Sequence, residues 1–323
     1  MKINISDINS NLTSGIGLLV CSSSFEERWY KVAESLSDDN LNKIIILQKS
    51  LELEVWNKGI ASLRELHGNI DNIVHIEDLA PAELWKKIVI EVVPSIESES
   101  GVVLIDITTF THEVVLLLLA LLKDKGLLNK VVFAYSGAGE YCTSEGLSEK
   151  WLSRGVKDIR SVLGYPGVIR PSKKSHLIIL VGFETERAKE LVAQYEPTSI
   201  SLGIGNDPYN NEFQETNIWH KEQLERFVAS IENSRMRISE FNFSCSDPMG
   251  AKNAILEEAG KFNDLNITIA PMNTKVSTVA AGLAAFDDER LKLCYVEPAE
   301  YNKRYYSLPG ECATLIQLQN KKK

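Results

Sequence analysis

Cysteine is scarce in this chain and carries no pattern. The five residues Cys21, Cys142, Cys245, Cys294 and Cys312 lie far apart, with no C-x-x-C pair and no histidine at metal-ligand spacing. That excludes a disulfide framework and a zinc site, and an odd, scattered set suits a reducing compartment, so a cytoplasmic protein is expected. Long apolar runs are missing as well. None approaches the roughly 20 residues that span a bilayer, and the opening MKINISDINSNLTSG lacks the apolar segment of a secretory signal. Positive charge is in deficit, with 35 Lys and Arg against 44 Asp and Glu for a net charge of −9, so nucleic acid is not an expected partner. Arg154, Lys157, Arg160, Arg170, Lys173 and Lys174 do gather around one connector, and they read as a solvated surface. Lys321, Lys322 and Lys323 read as a solvated tail. Catalytic signatures are absent too: no HExxH, no GxSxG and no Walker A lysine loop occurs. No metal and no cofactor is expected.

What is present is alternation. Short β-branched runs at Leu18–Ser22, Lys43–Leu47, Ile73–Ile76, Val102–Asp106 and Val131–Tyr135 are separated by spacers long enough for crossover helices. Strands joined in this way form a parallel sheet covered on both faces. Residues 156–163 predict one further strand at an edge of this half, and the turn-rich GYPGVIRPSKKS follows. The series then starts again at His176–Gly182, Ser199–Gly205, Phe241–Cys245, Ile267–Pro271 and Leu291–Pro298, before a last strand-like ECATLIQLQ.

The halves share more than a count of elements. Phe25-Glu26-Glu27-Arg28 follows the first strand of one, and Phe183-Glu184-Thr185-Glu186-Arg187 follows that of the other. The expected fold is therefore α/β, two tandem Rossmann-like units with mostly parallel sheets related by internal duplication. The expected domains are 1–163 and 176–323 joined by a connector at 164–175. One helix is unusual, since Val114–Leu122 is apolar all round where a surface helix shows a polar stripe. Packing between halves, burial within one, or a homodimer or protein partner would cover it.

In open α/β sheets ligands sit beyond the carboxyl ends of the strands, which confines the search to a few loops. Ser22, Ser23 and Ser24 offer hydroxyls at a helix start, although Ser24 and Glu27 also have the spacing of a capping box. Asp106, Thr108, Thr109, Thr111 and His112 make the densest polar cluster of the first half. Ser136-Gly137-Ala138-Gly139 reads as a tight turn. In the second half Asp247-Pro248 reads as a helix cap. Asn273, Thr274 and Lys275 pair a lysine with a helix N-terminus, the best anion site in the chain. Glu297 and Tyr301 follow the last strand of the series and would offer a carboxylate and a stacking ring.

The loop at Asp106 resembles the ribose-phosphate loop of phosphoribosyltransferases, but it lacks that family's second acid and glycine, so the activity is not carried over. The strand-then-P-x-N-T-K loop at Pro271–Lys275 is similar to the phosphate-facing loops of CARF-type nucleotide-sensing domains, a likeness of about eight residues. It implies a sensor of a nucleotide second messenger. The leading expectation is accordingly a sensor or regulatory protein that binds a nucleotide or phosphorylated metabolite. An enzyme of nucleotide or sugar-phosphate metabolism using Asp106 is the alternative, and an assembly subunit with a vestigial pocket is the third reading.

Overall fold

The structure is a computed structural model describing residues 1–12, 15–36, 41, 43–48, 53–68, 70–142, 150–231 and 236–318; the tail of Lys321, Lys322 and Lys323 lies outside them. Its strands are β1 (Lys2–Asn4), β2 (Ile16–Ser22), β3 (Lys43–Gln48), β4 (Asn72–His75), β5 (Val102–Asp106), β6 (Val131–Tyr141), β7 (Ser153–Ser161), β8 (Ser175–Leu180), β9 (Ser199–Asn206), β10 (Arg237–Ser244), β11 (Asn266–Pro271), β12 (Leu291–Tyr301) and β13 (Ser307–Gln317). The α-helices are α1 (Ile8–Asn11), α2 (Lys31–Glu34), α3 (Leu53–His67), α4 (Pro81–Glu91), α5 (Val93–Ser98), α6 (His112–Asp124), α7 (Thr185–Tyr195), α8 (Glu212–Ser230), α9 (Pro248–Gly260) and α10 (Lys275–Asp287). All ten strands of the two expected series form.

Two mostly parallel sheets result, ordered β1-β13-β6-β5-β2-β3-β4 and β10-β9-β8-β11-β12-β7. Within each, five parallel strands follow one order: fifth, fourth, first, second and third along the chain. The chain is thus a tandem of two similar α/β units. In the first, Leu19, Ile44, Ile46 and Leu104 pack with Trp29 and Tyr30. In the second, Leu177, Ile179, Ile200 and Leu202 pack with Leu191 and Leu224. Each such side chain, fully buried, contributes about 1.5–3 kcal/mol.

The antiparallel strands differ from the expected arrangement. The strand foreseen at an edge of the first half is β7, and it pairs with β12 in the second sheet. The C-terminal strand, β13, pairs with β6 in the first sheet. The compact units are therefore Met1–Tyr141 with Ser307–Lys323, and Cys142–Tyr306, where the sequence suggested 1–163 and 176–323. An edge strand's alternation shows that one face is buried but does not name its partner, so long-range pairing is invisible to local pattern. The apolar helix α6 is covered by the chain itself. Every side chain from Val114 to Leu122 is at most 7% exposed, so this segment presents no surface to a second chain. No helix among the described residues is long and apolar enough to cross a membrane.

Candidate functional site

Both sheets have a switch point where the order of building reverses, between β2 and β5 in the first and between β8 and β11 in the second. Crevices of this kind hold ligands in doubly wound folds. Strand register makes the two comparable. Val20 pairs with Ile105 and Ile178 with Ile269, which makes Ser22 the counterpart of Leu180, Ser23 that of Val181, and Thr109 that of Asn273. A similar bond spans both crevices, with acceptors one residue apart in register: Thr109 Oγ1 donates to the Ser22 carbonyl at 2.7 Å, and Asn273 Nδ2 donates to the Val181 carbonyl at 2.5 Å.

The first crevice is acidic and closed. Asp106 is 2% exposed, and its Oδ1 accepts from the Thr108 amide at 3.0 Å and from the Thr108 hydroxyl. The hydroxyl oxygen in turn accepts from the Ser136 amide at 2.9 Å. Burial pushes the Asp106 carboxyl up to about 7, against the opposing pull of the Thr108 bonds and the Arg28 charge. Ser22, Ser23 and Ser24 are all buried. The Ser22 hydroxyl donates to the Leu47 carbonyl at 3.0 Å, and the Ser24 hydroxyl accepts from the Glu26 amide at 3.2 Å. Glu27, expected to complete a capping box with Ser24, pairs with Lys58 at 2.5 Å. Thr111 caps α6 by accepting from the Val114 amide at 3.2 Å, and His112 and Glu113 are buried in its first turn.

The second crevice has another character. Ala270 stands where the first has Asp106, and α10 carries no acid in its first turn. Asn273 Oδ1 accepts from the Thr274 amide at 2.8 Å, and Thr274 caps α10 by accepting from the Ser277 amide at 3.2 Å. Asn273, Thr274 and Lys275 are half-buried. The loops around them approach closely. A Cβ on Gly182 would lie 1.8 Å from the Met272 carbonyl oxygen, so that position requires glycine, and one on Gly205 would lie 2.4 Å from Cys245 Sγ and force that side chain aside. Asp247 caps α9 as expected, accepting from the Met249 amide at 2.9 Å.

Glu297 and Tyr301 stand on β12 rather than in a loop. The Glu297 carboxylate is bound by Lys157 at 3.0 Å and Arg160 at 2.5 Å. Although its burial opposes this, these two cations of β7 hold its carboxyl below the usual range. Part of the connector's basic cluster thus serves strand pairing. Burial pushes the Tyr301 phenol well above the usual range. The structure therefore gathers Ser22, Ser23, Ser24, Asp106, Thr108, Thr109, Thr111 and His112 at one switch point, and Asn273, Thr274 and Lys275 at the other.

A second repeated feature was visible in the sequence only as the shared Phe-Glu…Arg pattern. Arg28 and Arg187 are each 3% exposed. Arg28 donates to Glu26 at 2.6 Å and to the Ser136 carbonyl at 3.1 Å, and the Ser307 hydroxyl also bonds Glu26. Arg187 donates to Glu184 and to the Val296 carbonyl, and the Ser153 hydroxyl bonds Glu184. These are equivalent positions, because Val131 and Leu291 begin matching strands and Tyr141 faces Ser307 as Tyr301 faces Ser153. Burial works against each guanidinium charge, but Glu26 and Glu184 outweigh it and hold both arginines above their ordinary range. Each cluster ties the loop after the unit's first parallel strand to its antiparallel pair.

One constellation looks catalytic and is not. His176 Nδ1 lies 2.8 Å from Ser199 Oγ and Nε2 lies 2.9 Å from Ser201 Oγ, and the Ser201 hydroxyl donates to Glu258 at 2.6 Å. In a nucleophilic triad the acid orients the imidazole. Here it bonds the hydroxyl, His176 is fully buried, and the group sits at the amino end of β8, away from the switch point. Burial lowers His176 to about 4, against the pull of Glu258. The folded state thus takes up its proton later than the unfolded chain, so the contribution of neutral His176 is complete above pH 6.5 and is lost as pH falls toward 4. An NMR titration of the His176 ring is expected to show a midpoint near 4. A midpoint near 6.5 would show that the network is open to water.

Among the described residues no group of three His, Cys, Asp or Glu side chains is placed to hold a metal ion. No family model matches the chain, and no curated protein sequence does. Among solved structures, a Type III CRISPR defence DNA nuclease activated by cyclic oligoadenylate is similar, with 9% sequence identity and a TM-score of 0.49 over 84% of this chain. The chain spans 64% of that nuclease chain.

Proposed function

We propose that the protein binds a nucleotide or another phosphorylated metabolite at the switch point of its second unit and acts as a sensor. The observation that carries this reading is the electrostatic contrast between the two crevices. Helix α6 carries the acid Glu113 in its first turn, at the switch point that also holds the buried Asp106 carboxyl, which disfavours an anion at the positive end of the helix dipole. Helix α10 begins with Lys275 and no acid, behind a Thr274 cap, which favours one.

Thermal unfolding in the presence of nucleotides and sugar phosphates tests the reading. A ligand at 100 times its Kd stabilises by about 2.7 kcal/mol. Lys275→Ala is expected to abolish most of that shift, whereas Asp106→Asn is expected to leave it intact. An equal shift in the Lys275 variant, or none with any phosphorylated compound, refutes the assignment. Asp106, held near neutrality, favours an enzyme as the second reading, since such a carboxyl can exchange protons at working pH. Turnover of a bound nucleotide that disappears in Asp106→Asn would select it. The assembly-subunit reading loses its basis, because α6 is covered.

A further inference from the structure

We infer that the second unit is a folded insert that delivers β13 to the first, so that closure of the first sheet is conditional on the second unit being folded, but not the reverse. The second unit is one continuous stretch, Cys142–Tyr306, and contains all six strands of its own sheet. The first is interrupted: Met1–Tyr141 supplies six strands, and β13 arrives only after the chain has passed through the second unit.

The two ends of the insert meet. The Cys142 amide donates to the Tyr306 carbonyl at 3.0 Å, directly beyond the Tyr141 and Ser307 pair of the β6 and β13 ladder. Cys142 has φ 53°, a left-handed conformation that few non-glycine residues adopt. It marks the point where the chain leaves β6. A folded second unit therefore presents Ser307 opposite Tyr141, in register for the ladder and within reach of Glu26. When that unit is unfolded, β6 and β13 must find each other across a flexible loop of about 160 residues, which lowers the closure equilibrium by about a thousandfold. Nothing comparable acts on the second unit.

Hydrogen exchange read by mass spectrometry on the full chain tests this. With increasing guanidinium, the β13 amides of the wild-type protein are expected to lose protection before or together with those of β8 and β9. Leu202→Asp places a charge in the core of the second unit, where Leu202 is fully buried. It is expected to open β8, β9 and β13 together, although no residue of the first unit is altered. Leu104→Asp, a change of the same kind in the core of the first unit, is expected to open β13 and leave β8 and β9 protected. Protection of β13 that outlasts β8 and β9 in the wild type or in the Leu202 variant overturns the inference. Opening of β8 and β9 in the Leu104 variant overturns its one-way character.

Discussion

Replacing Arg28 by methionine is expected to destabilise the first unit by about 3–5 kcal/mol, the usual cost of removing one partner from a buried ion pair. The loss follows from what remains. Glu26, 9% exposed, is left with the Ser307 hydroxyl in place of a guanidinium, and the Ser136 carbonyl loses a charge-assisted bond. The deficit should come mainly from the stranded carboxylate, so the double variant Arg28→Met with Glu26→Gln is expected to recover much of the stability. A urea titration of the three proteins decides it. A double variant as unstable as the single one would show that packing, not the unpaired charge, sets the cost. Arg187 and Glu184 should behave alike, because register places them at equivalent positions.

The Asp106→Asn variant is expected to be more stable than the wild type at pH 8, by about 2–4 kcal/mol. Burial raises the Asp106 carboxyl from 3.8 to about 7 in the folded protein. The folded state thus holds a proton that the unfolded chain has released across this window, and wild-type stability from this group declines as pH rises from about 4 to 7. Asparagine keeps the oxygen that accepts from the Thr108 amide and hydroxyl, yet carries no charge to bury. The gain should shrink toward pH 5, where Asp106 is protonated in the fold. Urea unfolding at pH 5, 6.5 and 8 measures this, and a gain independent of pH would place the effect elsewhere. The direction is opposite to that of His176, so the acid limb of the wild-type profile is the sum of two opposing slopes.

The parallel strands were legible because each β-branched run recurs at the spacing that a crossover helix demands, and Asp247 announced its helix by cap chemistry. The crevices were legible to the extent that fold topology places ligands at strand ends. Two things were not. The Ser22–Ser24 hydroxyls read as either an anion site or part of a helix cap, but the direction of the Ser22 hydroxyl depends on Leu47 of the neighbouring strand, which no local pattern records. Glu26 and Arg28 stand two residues apart, where helical side chains do not meet. Their pairing arises only because the segment starts in an extended conformation at Glu26 and turns into a 3₁₀ helix at Glu27. The repeated Phe-Glu…Arg pattern was the available signal, and it pointed to duplication without revealing its purpose.

The antiparallel strands also determine what the molecule exposes when it opens. In the first sheet β13 covers β6, whose residues from Val131 to Ala138 are buried. The opposite edge, β4, is only four residues long, too short to recruit another chain easily. Loss of β13 would uncover a long, apolar strand with unpaired amides and carbonyls, a template for joining a second molecule edge to edge. Edge-to-edge association of this protein is therefore expected to follow how often β13 lets go rather than the character of its native surface.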